Sequence, residues 1–433
     1  MNIFSKQSLR DGLSRLHPVW FTLYASISAF GLYTCVYALR KTFAVATFEG
    51  QSIAGVDYKI WLITFQVAGY ALSKFLGIKI ISELKSGQRA TGVLITSITA
   101  AASWLLFALV PKPFNIFFLL INGLVLGLVW GMIFSYLEGR KMTEILGIAL
   151  SISFIFSSGL CRSAGSWLMT EFGVSEFWMP FLTSCLFFPP LLFFLYLLNQ
   201  LPPPDGRDIA LRTKRQPMDH TQRKAFFLTF WPGIFVFVII YTILTTFRDF
   251  RDNFSAEFWA EAGGGTDPSI YTSTEVVVSL VVLVLLGGII FIRNNHTALM
   301  VNHLAILAGF ILIGGATFLY RSEVIQAKGW MILVGTGLYL GYIPFNSILI
   351  DRLLATFRYM GTVGFLMYVL DSCGYLGSVA VLYLKQFLNI QLSWLDFFMA
   401  GSEYVAVSGI ILILVSMYYF HKKYKSTVAQ TPV

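Results

Sequence analysis

The chain has 433 residues, 56% of them hydrophobic and only 12% charged, which excludes an ordinary soluble domain, where about a quarter of residues carry charge. The net charge of +9 could signal a nucleic-acid partner, but the cations sit at alternate ends of long apolar segments rather than in one patch, so nucleic-acid binding is set aside. Cys35, Cys161, Cys185 and Cys373 all fall inside apolar segments without metal-ligand spacing, and read as packing residues.

Apolar runs near the ~20 residues needed to cross a bilayer recur at approximately 18–46, 59–82, 90–110, 114–137, 145–170, 177–199, 225–252, 272–292, 297–319, 328–351, 359–384 and 397–420. The expectation is an all-α membrane protein with about twelve transmembrane helices. The N-terminal segment lacks a short apolar region with a small-residue cleavage site, so the first helix reads as an uncleaved anchor.

The first run contains FGLYTCVYALRK, in which Tyr33, Tyr37 and Arg40 fall at i, i+4 and i+7 on one helix face. A guanidinium at mid-bilayer depth costs at least roughly 2.5 to 3.5 kcal/mol, so a position that keeps one faces a wet cavity and a partner. The second run, AGYALSKF, places Tyr70 and Lys74 one turn apart. The fourth carries Gly123, Gly127 and Gly131 at every fourth position, which suits close helix packing, as do the pairs Gly287/Gly288 and Gly314/Gly315 and the set Gly335, Gly337 and Gly341. Arg162 lies in the fifth run.

After the sixth run comes the longest polar interruption, Gln200 to Lys224, with Pro202, Pro203 and Pro204 and six basic residues. It divides the chain into an N-terminal six-helix half (1–199), a basic cytoplasmic linker (200–224) and a C-terminal six-helix half (225–433). Transporters built as two pseudo-repeats that rock about a midplane site have this organisation. The seventh run, IIYTILTTFRDFRDNF, repeats the spacing of the first: Tyr241, Thr245, Arg248 and Asp252 share a face, and each half places a tyrosine seven residues before its arginine. The same stretch adds Asp249, Arg251 and Asn253. In the tenth run GYIPFN supplies Tyr342, and in the eleventh LDSCGYLGS places Asp371, Tyr375 and Ser378 on one face.

With the N-terminus inside, the cytoplasmic segments hold most of the cations, among them Arg10, Arg89, Arg140, Arg215 and Lys423. The opposite loops hold few, and collect Glu171, Glu176, Glu257, Glu261 and Asp267. This positive-inside pattern puts both termini in the cytoplasm. There is no Walker loop, nucleophile elbow, HExxH or Cys/His cluster, so neither an ATP-driven pump nor a metalloenzyme has support, and no enzyme activity, metal or cofactor is expected.

Together these motifs resemble the organophosphate:phosphate antiporters of the major facilitator superfamily, which move glycerol phosphate and hexose phosphates. YTCVYALRKTFA is similar to that family's first-helix motif and GYALSKF to its second-helix motif. The resemblance implies the major facilitator fold and a substrate site made of Arg40, Arg248, Lys74, Tyr33, Tyr37, Tyr70, Tyr342 and Tyr375. It also implies exchange of a phosphorylated metabolite for inorganic phosphate, in the inner membrane of a bacterium. The partners would be that anion and the bilayer, with the protein a monomer.

The chain departs from the family in two places. Phe156 stands where the family has a substrate-binding histidine, and the loop SELKSGQR offers Glu83, Lys85 and Arg89 instead of an Asp-Arg pair. Arg162, Asp371, Arg251 and Asp252 are additional charges, candidates for coupling or for charge pairs, with an Arg162–Asp371 pair between the halves the expected arrangement.

Arginine suits an oxyanion because its planar fork binds two oxygens at once, and one arginine from each half would let an anion bridge the halves. Two rivals remain: a proton-coupled anion symporter with Asp371 as carrier, and a membrane sensor that binds an anion without transporting it. The charge pattern makes one prediction directly. A membrane-impermeant thiol probe should label a cysteine placed at Gly264 from outside the cell, and one placed at Thr213 only after permeabilisation; the reverse pattern would overturn the orientation.

Overall fold

The computed structural model describes residues 6–82, 84, 86–138, 140, 142–203, 220–263, 267–289, 291–357, 363–388 and 392–429. Gly264, Thr213, Glu83, Lys85 and most of the linker lie outside them. The chain is helical almost throughout, because inside a bilayer only a helix satisfies its own backbone donors and acceptors. The helices are α1 (Lys6–Ser14), α2 (Pro18–Lys41), α3 (Tyr58–Ser82), α4 (Arg89–Leu109), α5 (Phe117–Leu126), α6 (Val129–Leu137), α7 (Thr143–Phe172) and α8 (Met179–Asn199). They continue as α9 (His220–Asn253), α10 (Ser255–Glu261), α11 (Ser269–Ile289), α12 (Asn295–Arg321), α13 (Ala327–Ser347), α14 (Leu349–Thr356), α15 (Val363–Phe387) and α16 (Trp394–Ala429).

Among the described residues ten helical stretches are long and apolar enough to cross a membrane, and α13 with α14, bent by 45°, makes an eleventh. The expected twelfth falls on α15, one continuous helix of 25 residues, which is the length a span requires. The protein is an integral, multi-pass membrane protein.

The chain forms two compact units. One comprises Met1–Thr213 with Thr266–Val276, the other Lys214–Gly265 with Val277–Val433. The first turns of α11 belong with the first unit.

In the first unit α2 packs on α7 and α8, and α3 on α5. The α3–α5 crossing is set by two glycines facing each other's backbone: a Cβ at Gly69 would meet the carbonyl of Leu120, and one at Gly123 the carbonyl of Gln66. The end of α2 leaves carbonyls without helical partners. Side chains from three neighbours supply them. Trp104 Nε1 and Asn122 Nδ2 donate to Leu39 O at 2.5 and 3.1 Å, and Gln66 Nε2 donates to Arg40 O at 2.7 Å. Beyond α2, strands β1 (Ser52–Ile53) and β2 (Val56–Asp57) form a short hairpin whose turn residues Ala54 and Gly55 both have positive φ, as a two-residue hairpin turn requires. The Glu176 carboxylate anchors the same loop, accepting from the backbone N–H groups of Thr47 and Phe48 at 2.8 and 2.9 Å.

In the second unit α9 packs on α13, α15 and α16, and α12 on α13 and α16. The α12–α13 crossing repeats the glycine device: Gly309 and Gly337 each lie against the other's carbonyl oxygen, where a Cβ would come within 2.5 Å. The glycines do not all serve packing. Gly287, Gly288 and Gly315 have nothing within 4 Å of a Cβ, so the expectation of close contact fails for them. Pro344 interrupts the hydrogen-bond ladder of α13 one turn before the bend into α14, the usual cause of such a break.

Gly123→Leu should therefore lower the yield of folded, monodisperse protein in detergent. It should also cut stability by at least the roughly 1–3 kcal/mol of an overpacked core, because backbone, not a movable side chain, opposes it. Gly287→Ala should leave the unfolding midpoint unchanged. Equal behaviour of the two variants would contradict the crossing described here.

Candidate functional site

In the first unit the 3.6-residue period of α2 carries Tyr33, Tyr37 and Arg40 to one face. Tyr33 and Tyr37 are buried, with ring centroids 6.3 Å apart, and Tyr33 packs on Phe154 of α7 at 4.8 Å. The guanidinium carbon of Arg40 lies 3.7 Å from the centroid of the Tyr70 ring on α3, and Lys74 Nζ, one turn further along α3, lies 5.0 Å from the same ring. A tyrosine face attracts a cation by roughly 0.5–2 kcal/mol, more when water is excluded. Two cations thus lie against one tyrosine ring. Gln66 braces it: one turn before Tyr70 it bonds both Arg40 O and, at 3.1 Å, Asn122 Oδ1.

Phe156, at the place of the resembled family's histidine, packs on Phe30 with centroids 5.3 Å apart.

In the second unit Arg248 repeats the stacking. Its guanidinium carbon lies 3.9 Å from the centroid of the Tyr342 ring on α13. Unlike Arg40, Arg248 is engaged by the next residue: Nη2 and Nε lie 2.7 and 3.2 Å from Asp249 Oδ1. Ser378 Oγ on α15 donates to Asp249 Oδ2 at 3.0 Å. Tyr241 stacks on Tyr342 at 5.3 Å and donates its O–H to Asp371 Oδ1 at 2.6 Å. Tyr375 is buried beside Tyr241.

Arg251, 1% exposed, donates to Met331 O at 3.0 Å, and its Nη1 lies 3.9 Å from Asp252 Oδ1. It fits because Gly335 carries no side chain; a Cβ there would lie 2.7 Å from Nη2. In this unit Arg248 thus meets Asp249 and Arg251 meets Asp252, with Asp371 bonded by Tyr241.

The structure brings Tyr33 close to Tyr37, and Arg40 and Lys74 to Tyr70, in one unit. In the other it gathers Arg248, Tyr342, Tyr241 and Asp371. Asp249, named in the sequence only as part of a charged run, proves to be the partner of Arg248.

Arg162 has a carboxylate partner within its own unit. Arg162 ion-pairs at 3.6 Å with Glu275 of α11, both side chains at most 4% exposed, and bonds Ser158 through its carbonyl and hydroxyl. In the other unit, Asp371 accepts a hydrogen bond from Tyr241. The approach is permitted about one turn before Arg162 at Gly159, where a Cβ would sit 2.7 Å from Tyr271 O and 2.8 Å from Glu275 Cβ. Backbone approaches backbone here, which puts Glu275 within reach. No sequence spacing marks a contact between helices so far apart in the chain.

A family model described as "Family of unknown function (DUF5690)" matches residues 42–423. No curated protein matches the sequence. Among solved structures the chain is similar to a peptide transporter, POT, in complex with alafosfalin (10% identity, 98% of this chain and 99% of that chain, TM-score 0.63). It is similar also to the nucleoside transporter NupG (15% identity, 92% and 98%, TM-score 0.60) and to a D-xylose-proton symporter (16% identity, 91% and 96%, TM-score 0.58). At such identity the likeness establishes the fold alone, and the fold is that of the major facilitator superfamily.

Removing one partner of a buried pair strands the other charge and costs about 3–5 kcal/mol, whereas removing both can be nearly neutral. Arg162→Ala and Glu275→Gln should each lower the thermal midpoint of the purified protein, and the double variant should recover a substantial part of either loss. A double variant as unstable as the two losses added together would show that the pair contributes nothing.

Proposed function

This chain belongs to the DUF5690 family, and we propose that it is a secondary active transporter of a small organic anion, a phosphorylated metabolite, working by alternating access. The observation that carries the proposal is the gathering of Arg40 and Lys74 about the Tyr70 ring within apolar helices. Such a concentration of positive charge has a use where an oxyanion binds, and the rings of Tyr33, Tyr37 and Tyr70 offer hydroxyl donors and flat walls to its organic part. Arg248 stacked on Tyr342 is the corresponding cation of the second unit. The sequence resemblance adds exchange for inorganic phosphate, and the positive-inside pattern adds an inner-membrane location with both termini cytoplasmic.

A proton-coupled symport of the same anion is the second reading. What favours it is the set of carboxylates about Arg248 and Arg251, which a simple two-arginine clamp for phosphate does not need.

A thermal-shift screen on the purified protein tests the proposal. Phosphorylated metabolites should stabilise it, by about 2.7 kcal/mol at a hundredfold excess over Kd, and neutral sugars, nucleosides and peptides should not. Arg40→Lys and Arg248→Lys keep the charge but lose the two-pronged fork, so each should weaken binding by on the order of tenfold or more and abolish exchange. Wild-type behaviour of both lysine variants at normal abundance would sink the proposal.

A further inference from the structure

A threonine inside a helix can turn its hydroxyl back onto its own backbone, and many here do. Thr22, Thr42, Thr64, Thr183 and Thr317 each donate to the carbonyl four residues earlier, at 2.6 to 2.9 Å. Thr245 and Thr246 of α9 do not. These side chains are 1% and 7% exposed, and their Oγ1 atoms are buried without a hydrogen-bond partner. Both are turned toward α15 at its two glycines: a Cβ at Gly374 would lie 3.1 Å from Thr245 Oγ1, and one at Gly377 2.5 Å from Thr246 Oγ1. A hydroxyl buried without a partner destabilises a fold, and two side by side point to a ligand that uses them.

The surroundings fix the sign of that ligand. Thr245 and Thr246 stand four and three residues before Asp249, one turn below it on the same helix. Ser378 of α15, the residue after Gly377, bridges Asp249 Oδ2 at 3.0 Å and Gly374 O at 3.1 Å. In the other direction, one turn before Thr245, Tyr241 donates to Asp371 of α15 at 2.6 Å. A carboxylate thus lies along the crossing on either side of the two hydroxyls, while the Arg248 guanidinium is drawn toward α13, over the Tyr342 ring at 3.9 Å. An anion on the hydroxyls would meet a carboxylate in both directions; a cation has both in its favour.

Among the described residues no three His, Cys, Asp or Glu side chains come together as they would around a transition metal or calcium. Uncharged oxygens near a carboxylate suit a singly charged hard ion instead, and a crossing too tight for a Cβ suits a small one. We infer that the α9–α15 crossing holds a sodium ion on Thr245 Oγ1 and Thr246 Oγ1. Asp249 contributes its charge from one turn away and keeps Arg248 and Ser378 while it does so. Binding is electrostatic and reversible, and no proton or covalent bond changes place. The site rests on its own oxygens and not on what the protein carries; in a secondary transporter such an oxygen site in the core is where an ion gradient is tied to substrate movement.

The test follows the thermal midpoint of the purified full-length protein in sodium-free choline chloride, titrated with sodium chloride at constant total salt. Sodium in place of choline should stabilise wild type saturably. Thr245→Val and Thr246→Val keep the shape and remove the hydroxyl, so each should weaken the sodium affinity by about tenfold. Gly377→Ala, which sets a methyl against Thr246 Oγ1, should weaken it as well and decides the matter if the valine variants fail to fold.

Equal stability of wild type in sodium and in choline would overturn the inference. So would wild-type sodium affinity in the Thr245→Val, Thr246→Val double variant or in Gly377→Ala. Neither phosphate nor an organic anion is present in these measurements, so the anion-transporter reading can fail without touching the result, and the reverse.

Discussion

A guanidinium inside an apolar helix must be compensated locally, and that requirement governs the arrangement of both units. An uncompensated charge at such depth costs several kcal/mol, a large fraction of a domain's net stability. The chain meets the requirement in three ways. Arg40 and Arg248 lie over tyrosine rings, Arg162 meets a carboxylate and a serine, and Arg251 reaches a backbone carbonyl through the gap left by Gly335. The glycine crossings, the capped end of α2 and the break after Pro344 give these contacts fixed positions.

The two units use related devices. In the first, Arg40 and Lys74 lie against the ring of Tyr70. In the second, Arg248 lies against the ring of Tyr342 and is engaged by Asp249, while Arg251 lies beside Asp252. An arginine stacked on a tyrosine of a neighbouring helix is thus common to both, and a carboxylate next in sequence to that arginine belongs to the second.

Much of this was legible in the sequence because helical periodicity is rigid. Tyr33, Tyr37 and Arg40, and again Tyr241, Thr245 and Arg248, had to share faces once the segments were read as helices, and the span lengths followed from the bilayer. What escaped were contacts that periodicity does not encode. Residues at i and i+1 do not face one another on a helix, so the pairing of Arg248 with Asp249 runs against the rule, and only the flexible arginine side chain makes it. Glu275 escaped for a different reason: its approach to Arg162 depends on Gly159 letting α11 close in, a tertiary fact with no local signature. The glycine pattern was read too generously at Gly287, Gly288 and Gly315, since a small residue permits close packing without requiring it.

That an anion is carried is the claim on which the rest depends, and counterflow measures it most directly. Purified protein would be reconstituted in liposomes, and entry of labelled inorganic phosphate compared between vesicles preloaded with unlabelled phosphate or a hexose phosphate and vesicles preloaded with a neutral sugar. The account predicts that the anions inside accelerate entry and that the neutral sugar does not. Entry no faster than in protein-free vesicles under all three conditions would contradict it.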